Sequence, residues 1–275
     1  MIALREVDKR FGGRMAVDNL TLEVPRGEIF GLLGHNGAGK STAIGMMLGQ
    51  VWPTRGEVKI CGHDVTTHRA RALQKVGAIF EAPAFYDYLS GQRNLEILSH
   101  YSAPTSAERI GEVVDWVGLS DRVLSKVRTY SHGMRARLAI AQALLPQPEL
   151  LILDEPGSGL DPEGIAEMRQ TIVKLHRELG LTILLSSHLL GEVEQLCSRI
   201  AVLNQGRKVF EGKIADVKAV QGRMKLKTRD FVRATAVLYE RGIISSAMDT
   251  EHIELTDGRT IAEATKALVA ADIPV

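Results

Sequence analysis

Gly34-His35-Asn36-Gly37-Ala38-Gly39-Lys40-Ser41 is the stretch on which the reading of this 275-residue chain turns. It satisfies the pattern G-x-x-x-x-G-K-[S/T]. A run that reads as a buried strand, Glu28-Ile29-Phe30-Gly31-Leu32-Leu33, precedes it, and a helical pattern over 41–48 follows. Strand, glycine turn and helix in that order make a phosphate-binding P-loop. The glycines let the backbone N–H groups of residues 34–39 turn inward around phosphate oxygens, and the helix N-terminus adds partial positive charge. Lys40 is then placed to neutralise β- and γ-phosphates, Ser41 to ligate Mg²⁺, and Thr42 to reach the α-phosphate.

Downstream, Leu150-Leu151-Ile152-Leu153-Asp154-Glu155 is an apolar strand ending in two acids. Asp154 would hold the hydration shell of the Mg²⁺, and Glu155 would polarise an attacking water, since phosphoryl transfer depends mainly on positioning and charge compensation. Another strand is expected over 182–186. Between P-loop and acids the periodicity is helical, with helices predicted over 94–101 and 107–117. A third starts at Gly133 and places Met134, Leu138, Ala141 and Leu145 on one face. Strands alternating with helices imply a parallel sheet, here with an inserted helical block.

Composition narrows the classes. Lys plus Arg number 34 against 33 Asp plus Glu, a formal charge of +1, and aromatics are 5% of residues. A nucleic-acid binder would show a basic excess or a stacking platform, so none is expected as a partner. No stretch approaches the ~20 apolar residues that span a bilayer, and the N-terminus lacks a signal-peptide pattern. The expectation is a cytoplasmic protein without direct membrane insertion. Cys61 and Cys197 have no metal-ligand spacing and read as small buried residues of a reducing compartment. Near residue 215 the pattern shifts to a βαββα order, giving expected domains 1–215 and 216–275, the second a small α+β accessory module.

At these residues the chain resembles the ABC ATPase family, over residues 1 to about 215. The resemblance implies an α/β P-loop nucleotide-binding domain with a RecA-like core, an antiparallel β portion and a helical subdomain at about 88–145. The family's signature, usually LSGGQ, is matched by Tyr130-Ser131-His132-Gly133-Met134, with His132 and Met134 as departures. By resemblance, Ser131 and Gly133 contact the γ-phosphate held by an opposite subunit, and Asp161 lies in the loop running between subunits. His188 is the switch histidine at the γ-phosphate, Glu81 stands in the place of a Mg²⁺-coordinating glutamine, and Phe11 stacks on adenine. Leu89-Ser90-Gly91-Gln92 looks closer to the signature but lies on the wrong side of the helical block, where Ser90 reads as a helix N-cap.

One chain carries one of each motif, so the resemblance implies a homodimer or a paired ABC ATPase closing on two ATP. The pair would drive a separate membrane permease, which would hold it at the cytoplasmic face. Glu81-Ala82-Pro83-Ala84-Phe85-Tyr86, Leu89-Ser90-Gly91 and the Tyr-Ser-x-Gly-Met signature are similar to the drug and bacitracin-type exporter group. A soluble ABC ATPase of DNA repair or translation would need a coiled-coil insertion or tandem cassettes, and neither is present. A nucleotide-sensing regulator would fit His132 and Met134 but not the retained Glu155.

Overall fold

The computed structural model describes residues 1–274 apart from 81–83, 103, 104, 217–222, 229, 248–250, 257 and 272. It divides into two compact units, Met1–Gly212 and Lys213–Val275.

In the first unit, β1 (Ile2–Phe11), β2 (Arg14–Val24), β4 (Arg55–Ile60) and β5 (His63–Asp64) form an antiparallel sheet in the order β2-β1-β4-β5. Strands β1 and β2 run 10 and 11 residues. Register shifts beyond Leu4 and the positive φ of Glu6 and Asn19 break the alternation that would reveal them as long strands. The second sheet has the order β10-β9-β3-β8-β7-β6. Its members are β3 (Ile29–Leu33), β6 (Val76–Ile79), β7 (Leu150–Leu153), β8 (Thr182–Ser187), β9 (Arg199–Asn204) and β10 (Arg207–Lys213). From β9 to β6 every neighbouring pair is parallel. Strands β3, β7 and β8 are buried along their whole length, as expected of a parallel sheet covered on both faces.

Helix α1 (Lys40–Met47) follows the P-loop, and its core neighbours come from both sheets. Ile44 and Met47 share a hydrophobic cluster with Leu4 and Leu22 of the antiparallel sheet and Phe30 and Ile152 of the parallel one. The helical block comprises α3 (Gly91–Ser102), α4 (Ala107–Trp116) and α5 (His132–Leu144), following the short α2 (Arg69–Leu73). Helix α3 starts earlier than 94 because Ser90 caps it, its Oγ accepting the Arg93 N–H at 3.1 Å. The sequence reading leaves out α6 (Pro162–Leu179), although Asp161 caps it, Pro162 opens it and the left-handed Gly180 closes it. Helix α7 (Leu190–Glu194) follows β8. Among the described residues no helix is long and apolar enough to cross a membrane.

Cys197 is buried, and desolvation pushes its thiol up to about 12, so it is an inert packing residue. Cys61 departs from the expected burial. It is half-exposed, in the turn between β4 and β5 with φ 52°, its Sγ against the Met1 sulfur.

The second unit holds β11 (Arg223–Lys225), a helix Phe231–Glu240, β12 (Ile244–Ala247), β13 (His252–Leu255) and a helix Ile261–Ala270. The sheet order is β11-β13-β12, antiparallel throughout. Leu238, Ile244, Ile253 and Leu268 anchor its separate core. Thr260 and Glu263 form a reciprocal capping box at the last helix.

Candidate catalytic site at the phosphate loop

The site is assembled where β3, β7 and β8 end side by side. After β3 the chain turns through residues 34–39, and Gly39 has φ 105°. A Cβ there would stand 2.7 Å from the Ala16 carbonyl oxygen, so both backbone conformation and space require glycine. Lys40 then opens α1 with a side chain only 5% exposed. Its Nζ donates to the carbonyl of Gly34 at 2.7 Å and of His35 at 3.4 Å, and lies 3.1 Å from Glu155 Oε1. A buried ammonium is tolerable only when so surrounded by acceptors.

At the end of β7, Asp154 is buried and its backbone N–H continues onto Ile79. The Asp154 carboxylate accepts the Ser186 hydroxyl through Oδ1. Glu155 has φ 49°, a left-handed turn unusual for a residue with a side chain. The turn brings Glu155 Oε2 to 2.7 Å from His188 Nδ1 just beyond β8. A carboxylate only accepts, so Nδ1 carries the proton in that contact. Glu155 is therefore held between the Lys40 ammonium and the His188 imidazole.

Two clefts meet at Glu155. The first, about 470 Å³, is lined by Phe11, Asn36, Gly37 and Gly39, and by Lys40, Ser41 and Thr42. Phe11 is half-exposed at the β1–β2 tip, with Lys9 Nζ 4.7 Å from its ring centroid. The second cleft, about 790 Å³, is bordered by Ser131, Asp154 and Glu155 together with Pro156 and Ser158.

The structure thus gathers Phe11, the loop residues, Lys40, Ser41, Thr42, Glu155 and His188 about one centre, with Asp154 next to it. Ala38 is buried with its N–H on the His35 carbonyl. Ser131 lies on the second cleft as the N-cap of α5, its Oγ accepting the Met134 N–H at 3.2 Å. Asp161 caps α6 through the Gly164 N–H at 2.8 Å. Neither Ser131, Gly133 nor Asp161 lines the first cleft. The starts of α5 and α6 touch: a Cβ on Gly133 would lie 3.7 Å from Gly164 Cα. Glu81 lies outside the described residues. Sequence reasoning missed Arg14, which lines the first cleft, and Ser186, which joins the two acids. A basic residue directly after the Gly12-Gly13 turn is a signal for Arg14, whereas a serine in an apolar strand gives none.

The family model described as ABC transporter matches residues 17–158. The chain is 47% identical over 209 residues to the ABC transporter ATP-binding protein YhcH of Bacillus subtilis strain 168, covering 76% of this chain and 68% of that one. It is 42% identical over 211 residues to the bacitracin transport ATP-binding protein BcrA of Bacillus licheniformis, covering 77% and 69%. Among solved structures it is similar to the dimeric post-hydrolysis state of the ATP-binding cassette MJ0796 bound to ADP and Pi. That match has a TM-score of 0.68 and 27% identity over 78% of this chain and 99% of the other. With its phosphate loop, paired acids and helical block, this chain belongs to the ABC transporter family as one of its ATP-binding, ATP-hydrolysing proteins.

Proposed function

We propose that the chain powers an exporter of the drug and bacitracin type, pairing with a second ATP-binding chain and docking on a separate permease at the cytoplasmic face of the membrane. The observation that carries this reading is the placement of Glu155. It borders both clefts and touches Lys40 and His188, whereas Ser131 lines only the second cleft and neither it nor Asp161 lines the phosphate-loop cleft. Residues suited to grip a γ-phosphate thus stand on two separate surfaces, and a second copy would bring one against the other. The relative BcrA, named for bacitracin transport, and the dimeric cassette with ADP and Pi support the same assignment.

In the mechanism, the half-exposed ring of Phe11 takes the adenine. The backbone of residues 34–39 and Lys40 hold the β- and γ-phosphates, and Thr42 holds the α-phosphate. Glu155 accepts a proton from water as the water oxygen bonds to the γ-phosphorus and the bond to the ADP oxygen breaks. His188 orients Glu155 and contacts the γ-phosphate. Ser131 and Gly133 of the other chain complete the phosphate cage, and Asp161 lies between the chains.

The residues fit a magnesium ion. Ser41 and Asp154 offer the hard oxygen donors it takes, and among the described residues the hydrogen bond to the Asp154 carboxylate falls on Oδ1. When bound, the ion neutralises charge on the β- and γ-phosphates. Glu81 is proposed to join that set.

The test is copurification from native membranes. A permease is expected to accompany the tagged chain, and ATPase activity should rise when the two are reconstituted. A chain recovered without any membrane protein would contradict the transporter reading. The second unit is proposed to be an accessory module outside the nucleotide chemistry. A chain ended at Ala215 is expected to bind ATP with unchanged affinity, by calorimetry, while pairing less well in size-exclusion chromatography. A folded truncation that no longer binds ATP would show that the module contributes to the site.

A further inference from the structure

We propose that Ser186 is a positioning residue for ATP hydrolysis, its buried hydroxyl setting both the backbone turn of Glu155 and the orientation of the Asp154 carboxylate. The proposal rests on the reading that these two acids carry the chemistry. Ser186 sits on β8 and is fully buried, after the aliphatic run Ile183, Leu184 and Leu185 and before the equally buried Ser187. A hydroxyl in such a place is costly unless it is bonded, and this one is bonded twice. Its single proton goes to Asp154 Oδ1, and a lone pair receives the Glu155 N–H at 3.0 Å. One oxygen therefore ties two consecutive residues of the neighbouring strand end.

The need for that oxygen follows from where the ladder stops. Strands β7 and β8 are paired through Leu153 and Leu185, and beyond them the chain after β7 swings into the left-handed turn at Glu155. The Glu155 N–H thus leaves the ladder without a strand carbonyl to receive it, and the Ser186 side chain replaces that carbonyl. With an apolar residue at 186 the N–H would be unpaired, and the φ of 49° would lose the contact that holds it. The Glu155 carboxylate would then drift from Lys40 and His188. Strand β8 also leads directly to His188, whose ring meets Glu155 Oε2. One strand end therefore grips Glu155 at its backbone through Ser186 and at its carboxylate through His188. The same hydroxyl also holds the Asp154 carboxylate through Oδ1.

The experiment compares Ser186→Thr with Ser186→Val, side chains of one shape that differ in the hydroxyl, with Ser186→Ala as a smaller partner and Glu155→Gln as control. Nucleotide affinity is read by calorimetry with ADP, turnover by phosphate release, and folding by thermal melting. S186V and S186A are expected to lose about tenfold to a hundredfold in kcat, the range for a lost hydrogen bond to a charged group. KM for ATP and ADP affinity should stay within about twofold, and S186T should keep most of the turnover. If valine or alanine turns over as threonine does while E155Q is inactive, the proposal is overturned and the reading of the acids stands. An equal loss in ADP affinity and kcat would make Ser186 merely structural and also overturn it. Should S186V not fold, the comparison of S186A with S186T decides by the same criteria. Wild-type turnover in E155Q would remove the reading on which the proposal rests.

Discussion

Glu155→Gln is expected to abolish steady-state hydrolysis while leaving ATP binding intact, and to hold the protein as an ATP-bound dimer. Removal of a general base costs on the order of 10²–10⁴ in rate. The amide keeps the size of the side chain, so the phosphate loop around it is not disturbed. The structure adds a direction for affinity. Glu155 Oε1 lies 3.1 Å from Lys40 Nζ, so in the native chain a phosphate must compete with that carboxylate for the ammonium. Neutralising Glu155 removes the competitor, and ATP should bind as tightly as in the wild type or more tightly. Size-exclusion chromatography with and without ATP, alongside phosphate release, reads both effects. A monomer that still hydrolyses ATP at the wild-type rate would refute the role given to Glu155.

Lys40→Ala carries the second large effect, a loss of ATP affinity. Deleting a charge-assisted hydrogen bond costs ~1.5–3 kcal/mol, roughly 10- to 150-fold. The burial of Lys40 puts the loss toward the upper part of that range, because a charge shielded from water acts through a lower effective dielectric. The substitution also strips Glu155 of its cation, leaving an unbalanced carboxylate beside the phosphates. The pair Lys40→Ala with Glu155→Gln should therefore bind ATP better than Lys40→Ala alone. Calorimetry of the single and double variants measures this, and unchanged affinity in Lys40→Ala would contradict the phosphate-loop assignment.

Much of this site is legible in the sequence because it is built from contiguous stretches. The glycine loop needs Gly39 at a position where a Cβ collides with the Ala16 carbonyl, and the apolar run of β7 can only be buried, so its terminal acids fall at the carboxyl end of an interior strand. The helices of the inserted block announce themselves by periodicity and by caps such as Ser90 and Ser106. What escapes is nonlocal or masked by irregularity. The bulges of β1 and β2 hide two long strands, and α6 is overlooked although Asp161-Pro162 and Gly180 bracket it. Ser186 meets Asp154 and Glu155 across more than thirty residues of chain, and no spacing rule in a strand distinguishes a hydroxyl that bridges acids from one that satisfies its own backbone.

The contact between Gly133 and Gly164 has a mechanical meaning. Two helices usually meet through interlocking side chains, which can change rotamer and absorb a small displacement. Here two glycines face each other at the helix starts, and a Cβ on either would come no closer than 3.7 Å to the other's Cα. Gly164 is required by its own helix start instead: a Cβ there would stand 2.8 Å from the Asp161 oxygen that caps α6. Close-packed protein is barely compressible over such distances. A movement at the start of α5, where Ser131 sits, therefore meets the start of α6, where Asp161 sits, with no long side chain at these two positions to take it up.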